Sequence, residues 1–240
     1  MKSLMSLLAV LAAVVGVRAA DAPGLVNGHP PDIRTLKPGD AAPDFDLLGT
    51  DGKKHKLSEY TGGEALVVLF TSNHCPTSHS IERRLQKFYE EYKGKGVKLL
   101  AINPNHPDGL SKDELGYGEF GDSYEEMKPY AEKNKWTFDY LYDGDTQAVA
   151  RAYGCLATPH VFVFDKNLKL RYQGRFDDSR FYDDSTVKSK DCQNAVDSIL
   201  AGKPVELELT KPMGCSTKWR EKKALHDAKH ETWAKTPVTV

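Results

Sequence analysis

The sequence predicts an α/β protein, and three adjacent stretches carry that prediction. ALVVLFT (65–71) is a continuous apolar run rich in β-branched residues, the pattern of a strand buried on both faces. Beyond it the period changes: Ile81, Leu85, Phe88 and Tyr92 share one helical face, and the run stops at GKG (94–96), a natural helix end. VKLLAIN (97–103) is a second apolar run. Strand, helix, strand in this order implies a parallel βαβ unit with a right-handed crossover.

The other elements follow in chain order. The start has Lys2, an apolar run from Leu4 to Val17, and small residues at Ala19 and Ala20. It reads as an export signal over 1–20, because the run is short of the roughly 20 residues that span a bilayer; an uncleaved anchor is the competing reading. Residues 21–37 are rich in Pro and Gly and lack periodicity, so they are expected to form a linker or surface arm. The main domain is expected over 38–204. DFDLL, the turn GTDGK and HKLSEY (44–60) form a hairpin. The polar stretch 104–123 is long and irregular enough for a surface insertion. SYEEMKPYAEKNK (123–135) is helical, with Pro129 kinking it or sitting in its first turn. TFDYLYD (137–143) is a strand, and DTQAVARAYG (145–154) a short helix capped by Asp145 or Thr146 and ended by Gly154. HVFVFD, the turn KNLK and LRYQGRF (160–176) make a last hairpin, and CQNAVDSILAGK (192–203) a helix. From 205 to 240 runs a tail that contains Cys215, where PMGCSTKW is turn-like and the rest is polar with weak helical spacing.

Charge excludes some partners. Lys plus Arg number 33 and Asp plus Glu 34, with the signs interleaved, so neither nucleic acid nor an anionic membrane is an expected partner. Phosphate-cradling Gly-rich loops, Ser/His/Asp triads in context and dinucleotide fingerprints are absent, which leaves hydrolase and NAD-enzyme readings without support. Export would place Cys75, Cys155, Cys192 and Cys215 in an oxidising compartment, where disulfides persist; sequence does not choose their pairing.

Cys75 is the candidate with the clearest chemistry. A cysteine that ends a strand and opens a helix lies at the positive end of the helix dipole, beside backbone N–H groups that lack partners. A thiolate is stabilised there and reacts at neutral pH. The junction is expected to be exposed; a buried, inert cysteine is the alternative. His74 and His79 add to the effect if charged and if they face the sulfur.

GDAAPDF, the turn DGK, LVVLFTSNHCPTS, the stretch from GDSYEEM to ARAYG, and ATPHVFVFDKNLKLRYQGRFDDS together resemble the redoxin branch of the thioredoxin superfamily. They are most similar to peroxiredoxin-like proteins related to the alkyl hydroperoxide reductase and thiol-specific antioxidant group, over about residues 38 to 215. The resemblance implies a thioredoxin-like fold, a central mixed β-sheet flanked by α-helices, with Cys75 as nucleophile and Thr158-Pro159 as a cis-proline loop facing it. That loop offers backbone groups to an extended substrate or mixed disulfide.

The chain departs from its relatives in two ways. Ser78 stands where a thioredoxin carries its second cysteine, so Cys75 cannot complete a dithiol cycle within its own motif; Ser78 is instead expected to cap the helix or donate a hydrogen bond to the sulfur. Against the peroxiredoxin pattern PxxxTxxC, Val68 sits at the proline and Ser72 offers the hydroxyl, while Pro159 falls about where the peroxide-polarising arginine would lie. The expected activity is peroxide reduction or thiol-disulfide exchange, with a peroxide or disulfide substrate, a protein thiol as reductant and no cofactor.

Cys215 is the candidate resolving thiol, on a tail able to swing; a structural disulfide pinning the tail is the equal alternative. Cys155 and Cys192 are expected to pair structurally or to be buried as small hydrophobes. A non-catalytic binding or copper-carrier domain is the competing function, through His74, Cys75, His79 and His160 if they converge. Asp177, Asp178, Asp183 and Asp184 form an acidic patch able to bind a cation, for which a solvated loop is the ordinary reading and ion pairing with Arg175 a further alternative.

Overall fold

The computed structural model describes residues 24–235; the leader read at 1–20 lies outside the described residues. Strands β1 (Asp46–Gly49), β2 (Lys54–Lys56), β3 (Ala65–Phe70), β4 (Val97–Asn103), β5 (Asp139–Tyr142), β7 (His160–Asp165) and β8 (Leu170–Gly174) form one sheet in the order β2-β1-β5-β4-β3-β7-β8. A separate two-residue strand, β6 (Ala157–Thr158), precedes β7. Strands β3, β4 and β5 are parallel, and β7 runs antiparallel to β3 with Phe70 opposite His160. The sheet is therefore mixed, as expected, and β3 lies in its interior between β4 and β7.

All six residues of β3 are buried because both faces of the sheet are covered. On one face Val67 and Leu69 pack with α1 (Pro76–Tyr92), α2 (Tyr124–Lys133) and α4 (Asp191–Leu200) through Ile81, Leu85, Phe88, Met127, Tyr130 and Val196. On the other, Leu66, Val68 and Phe70 pack with α3 (Ala148–Tyr153) through Val149 and Tyr153. Alternate residues of one strand thus build two cores.

Several local expectations need correction. Helix α3 is not capped by Asp145: the buried Asp143 carboxylate accepts from the N–H groups of Ala150 (2.7 Å) and Val149 (3.3 Å). Thr146 Oγ1 takes the Ala148 N–H at 3.3 Å. Pro129 lies inside α2, not in its first turn. The stretch 104–123 is no mere surface insertion, since Asn105, Ser111 and Asp122 are buried. Arg175 pairs with Asp191 at 2.5 Å, while Asp177 is held by the buried Arg84, at 2.6 Å and 3.1 Å.

The tail is the largest surprise. PMGCSTKW is not a loose turn: Cys215–Ser216 forms strand β9, antiparallel to β6, with Thr158 opposite Cys215 and Ala157 opposite Ser216. Just beyond it, His106 and Gln147 both donate to the Lys218 carbonyl, at 2.9 Å and 3.0 Å, and Asn105 Oδ1 accepts the Lys218 N–H at 2.8 Å. Trp219 is fully buried in the α3-side core, with Nε1 donating to His29 Nδ1 at 3.1 Å. The polar run that follows is helix α5 (Lys222–Lys235). Among the described residues no helix is long and apolar enough to cross a membrane.

Candidate active site

Cys75 sits in an extended conformation at the N-cap of α1, with Pro76 at the first helical position. Proline fits there because its missing N–H would lack a partner anyway. The strand-to-helix junction is as expected, but its exposure is not: Cys75 is 0% exposed. The cover is β9, which lays Cys215 over the junction and brings Cys215 Sγ to 2.8 Å from Cys75 Sγ. Both thiols are free, and Cys215 is only half-buried.

The two sulfurs share their protons unequally. Burial works against ionisation of Cys75, yet the Cys215 thiol, the Ser78 and Cys215 backbone N–H groups and the charge of His74 together hold its titration well below the ordinary thiol range. As a thiol, Cys75 can donate to the Thr158 carbonyl 3.0 Å away. Three donors converging on one sulfur outweigh that single acceptor and favour the thiolate. Cys215 is shifted the opposite way, first by its hydrogen bond to Cys75 and then by burial, so the remaining proton resides on Cys215.

The other predicted residues are placed as follows. The Thr158-Pro159 bond is cis, and the loop faces Cys75 through the Thr158 carbonyl. Ser72 Oγ is buried and bonded to Thr158 Oγ1 at 3.1 Å, which ties the end of β3 to that loop. Ser78 reaches the sulfur with its backbone N–H, whereas its hydroxyl is buried without a hydrogen-bond partner and neither caps α1 nor touches sulfur.

Cys155 and Cys192 do not pair, because they lie in the two cores on opposite sides of the sheet. Burial pushes the Cys155 thiol up to about 12. The histidines do not converge either. His74 Nδ1 meets Asp122, His79 Nε2 meets the Asn73 carbonyl at 2.5 Å, and His160 Nε2 meets Gln173 Oε1 at 2.7 Å. Burial pushes His160 down to about 4, so it is neutral at physiological pH. Among the described residues no group of three or more His, Cys, Asp or Glu is placed to hold a metal ion.

Sequence reasoning missed Asp122, Asn105, Gln147 and Trp219. The last three fix the tail that carries Cys215, and Asp122 orients His74. Only Trp219 had a signal, a large aromatic four residues after Cys215 in an otherwise polar tail.

Gly214 shows how closely the tail fits. A Cβ there would lie 2.1 Å from the Thr158 oxygen and 2.8 Å from Pro159 N. Overpacking of this kind costs about 1–3 kcal/mol, so Gly214→Ala should shift the strand off the loop and raise its open population roughly tenfold. The expected result is iodoacetamide labelling of Cys75 that is faster by a similar factor; a rate equal to that of the unmodified chain would refute the fit.

Comparisons with known proteins agree with this architecture. The AhpC/TSA family matches residues 38–173. The thiol-disulfide oxidoreductase ResA of Geobacillus thermodenitrificans is 29% identical over 133 residues, 55% of this chain and 66% of that protein. Peroxiredoxin Bcp of Escherichia coli is 30% identical over 115 residues, 48% of this chain and 63% of that protein. The matches thus span just under two thirds of either relative. A hypothetical protein of Sinorhizobium meliloti, known by crystal structure, is 34% identical with a TM-score of 0.68, covering 78% of this chain and 96% of its own. A thioredoxin-like mixed sheet, a cysteine at the head of α1 facing a cis-proline loop, and a family match over more than half its length place this chain in the AhpC/TSA family of redoxins.

Proposed function

We propose that this chain is an exported thiol peroxidase in which Cys75 attacks the peroxide and Cys215 resolves the product. The observation that carries this reading is the 2.8 Å approach of a thiolate-favoured Cys75 to a protonated Cys215. Export is supported by the leader pattern at 1–20.

The chemistry balances in three steps. The Cys75 thiolate takes the distal oxygen of ROOH, the O–O bond breaks, and RO⁻ gains a proton to leave as ROH. The Cys215 thiol then attacks the sulfenic acid, forming the Cys75–Cys215 disulfide and releasing water. Two thiols of a reducing partner restore the pair by exchange. Cys75 is therefore the nucleophile but does not work alone, and Ser78 contributes its backbone rather than its hydroxyl. A peroxide suits the site better than a protein disulfide, because an extended peptide would need the edge of Thr158 that Cys215 already occupies. The two-residue β6–β9 ladder is the part of the cover that opens.

Peptide mapping of the full chain after one equivalent of hydrogen peroxide tests this directly. The expected product has a single Cys75–Cys215 bond, with Cys155 and Cys192 still reduced. Peroxide left unconsumed, or any other pairing, would overturn the assignment.

A further inference from the structure

The residue immediately before Cys75 carries a group that these steps leave unused. His74 is 1% exposed, and its Nδ1 is held by the Asp122 carboxylate. Asp122 also accepts from Asn73 N–H (2.7 Å), Asn105 Nδ2 (2.8 Å) and Asn103 Nδ2 (3.2 Å). Asn73 is fixed in turn by Tyr140, whose hydroxyl donates to its Oδ1 at 2.8 Å. An imidazole gripped through one nitrogen has its ring orientation set, and its other nitrogen is free for chemistry. That nitrogen, Nε2, is buried without a hydrogen-bond partner.

Leaving a buried polar atom unpaired costs about 1–3 kcal/mol. In a network otherwise complete, such an atom calls for a functional reason. Three ionisable groups interact with His74: Asp122 from the loop before α2, Cys75 at the head of α1, and Glu114 from the 104–123 stretch, which is itself paired with Lys218 of the tail. His74 thus precedes the nucleophile in the chain, with its ring oriented by a carboxylate and its second nitrogen unpaired, as an acid-base group serving a nucleophile requires.

We propose that His74, oriented by Asp122, donates its Nε2 proton to the atom that leaves when Cys75 attacks. This rests on Cys75 being the nucleophile. With a hydroperoxide, sulfur bonds to the distal oxygen, the O–O bond breaks, and the departing alkoxide takes the Nε2 proton and leaves as ROH. His74 is left neutral and regains a proton from solvent. Cys75 is oxidised by two electrons and the peroxide is reduced by two. Asp122 is a positioning residue that acts through the ring.

The test compares leaving groups. In a full-length Cys215→Ala background, Cys75 oxidation is followed as a single turnover with tert-butyl hydroperoxide, whose alkoxide needs a proton, and with 5,5′-dithiobis(2-nitrobenzoate), whose aryl thiolate does not. Each rate is divided by the thiolate fraction read at 240 nm. His74→Gln should lose roughly 10²- to 10⁴-fold with the hydroperoxide, the usual scale of general acid catalysis, and lose the fall in rate at high pH. Its rate with the aryl disulfide should stay within about threefold of the background. Asp122→Asn should keep that fall but move it to lower pH, and this variant carries the test if His74→Gln does not fold. Equal losses with both oxidants, no loss with either, or an unmoved pH profile in Asp122→Asn would overturn the proposal. If peroxide consumption instead survives Cys75→Ser, the reading of Cys75 itself fails and His74 is not at issue.

Discussion

On the proposed mechanism, replacing Cys215 should stop peroxide turnover after one equivalent per chain. Without its thiol, the sulfenic acid formed on Cys75 has no partner 2.8 Å away, because Cys155 and Cys192 are sealed in the two cores. Steady-state consumption should fall by at least about 10²-fold, as when one member of a cooperating set is removed, and dimedone should trap the sulfenic acid on Cys75. Serine and alanine should then part company. Cys215→Ser keeps a donor against the Cys75 sulfur and leaves its thiolate largely in place. Cys215→Ala removes one of the hydrogen bonds that hold Cys75 down, so its titration moves up toward the ordinary thiol range. Absorbance at 240 nm across pH separates the two variants. Undiminished turnover in either would remove Cys215 from the mechanism.

Trp219→Ala should have the largest effect on stability. The side chain is fully buried against the α3 face of the sheet, with the Arg151 guanidinium 5.3 Å from its ring centroid. Truncating a buried tryptophan costs about 3–5 kcal/mol, a large share of the 5–15 kcal/mol that a domain typically has. For a chain of this size the melting temperature should fall by roughly 6–20 °C. The same change loosens the anchor next to Cys215. Peroxide-driven disulfide formation should therefore slow even well below the melting temperature, and Cys75 should alkylate faster. A melting temperature within about 2 °C of the parent would mean that the tail is held by its backbone hydrogen bonds alone.

How much was legible beforehand follows the physics of each feature. Strand β3, helix α1 and strand β4 were read almost to the residue, because the apolar run and the face formed by Ile81, Leu85, Phe88 and Tyr92 are local patterns. Cys75 at the head of α1 follows from the same pattern. Its burial does not, since the cover comes from a segment 140 residues away. Likewise the His74–Asp122 contact joins residues 48 apart, and Asp122 lies in a stretch whose polarity suggested nothing but surface.

From the chain alone came the alternation of strands and helices, the family resemblance, the position of Cys75 at the head of α1 and the candidacy of Cys215. These depend on residue type and spacing, which are written into the order of amino acids. Packing decided the rest: a strand of two residues laid along the cis-proline loop, a tryptophan that fastens the tail, and a histidine fixed by a distant carboxylate. Such features arise when remote segments meet in three dimensions, where hydrogen bonds and excluded water give meaning to residues that carry no local signal.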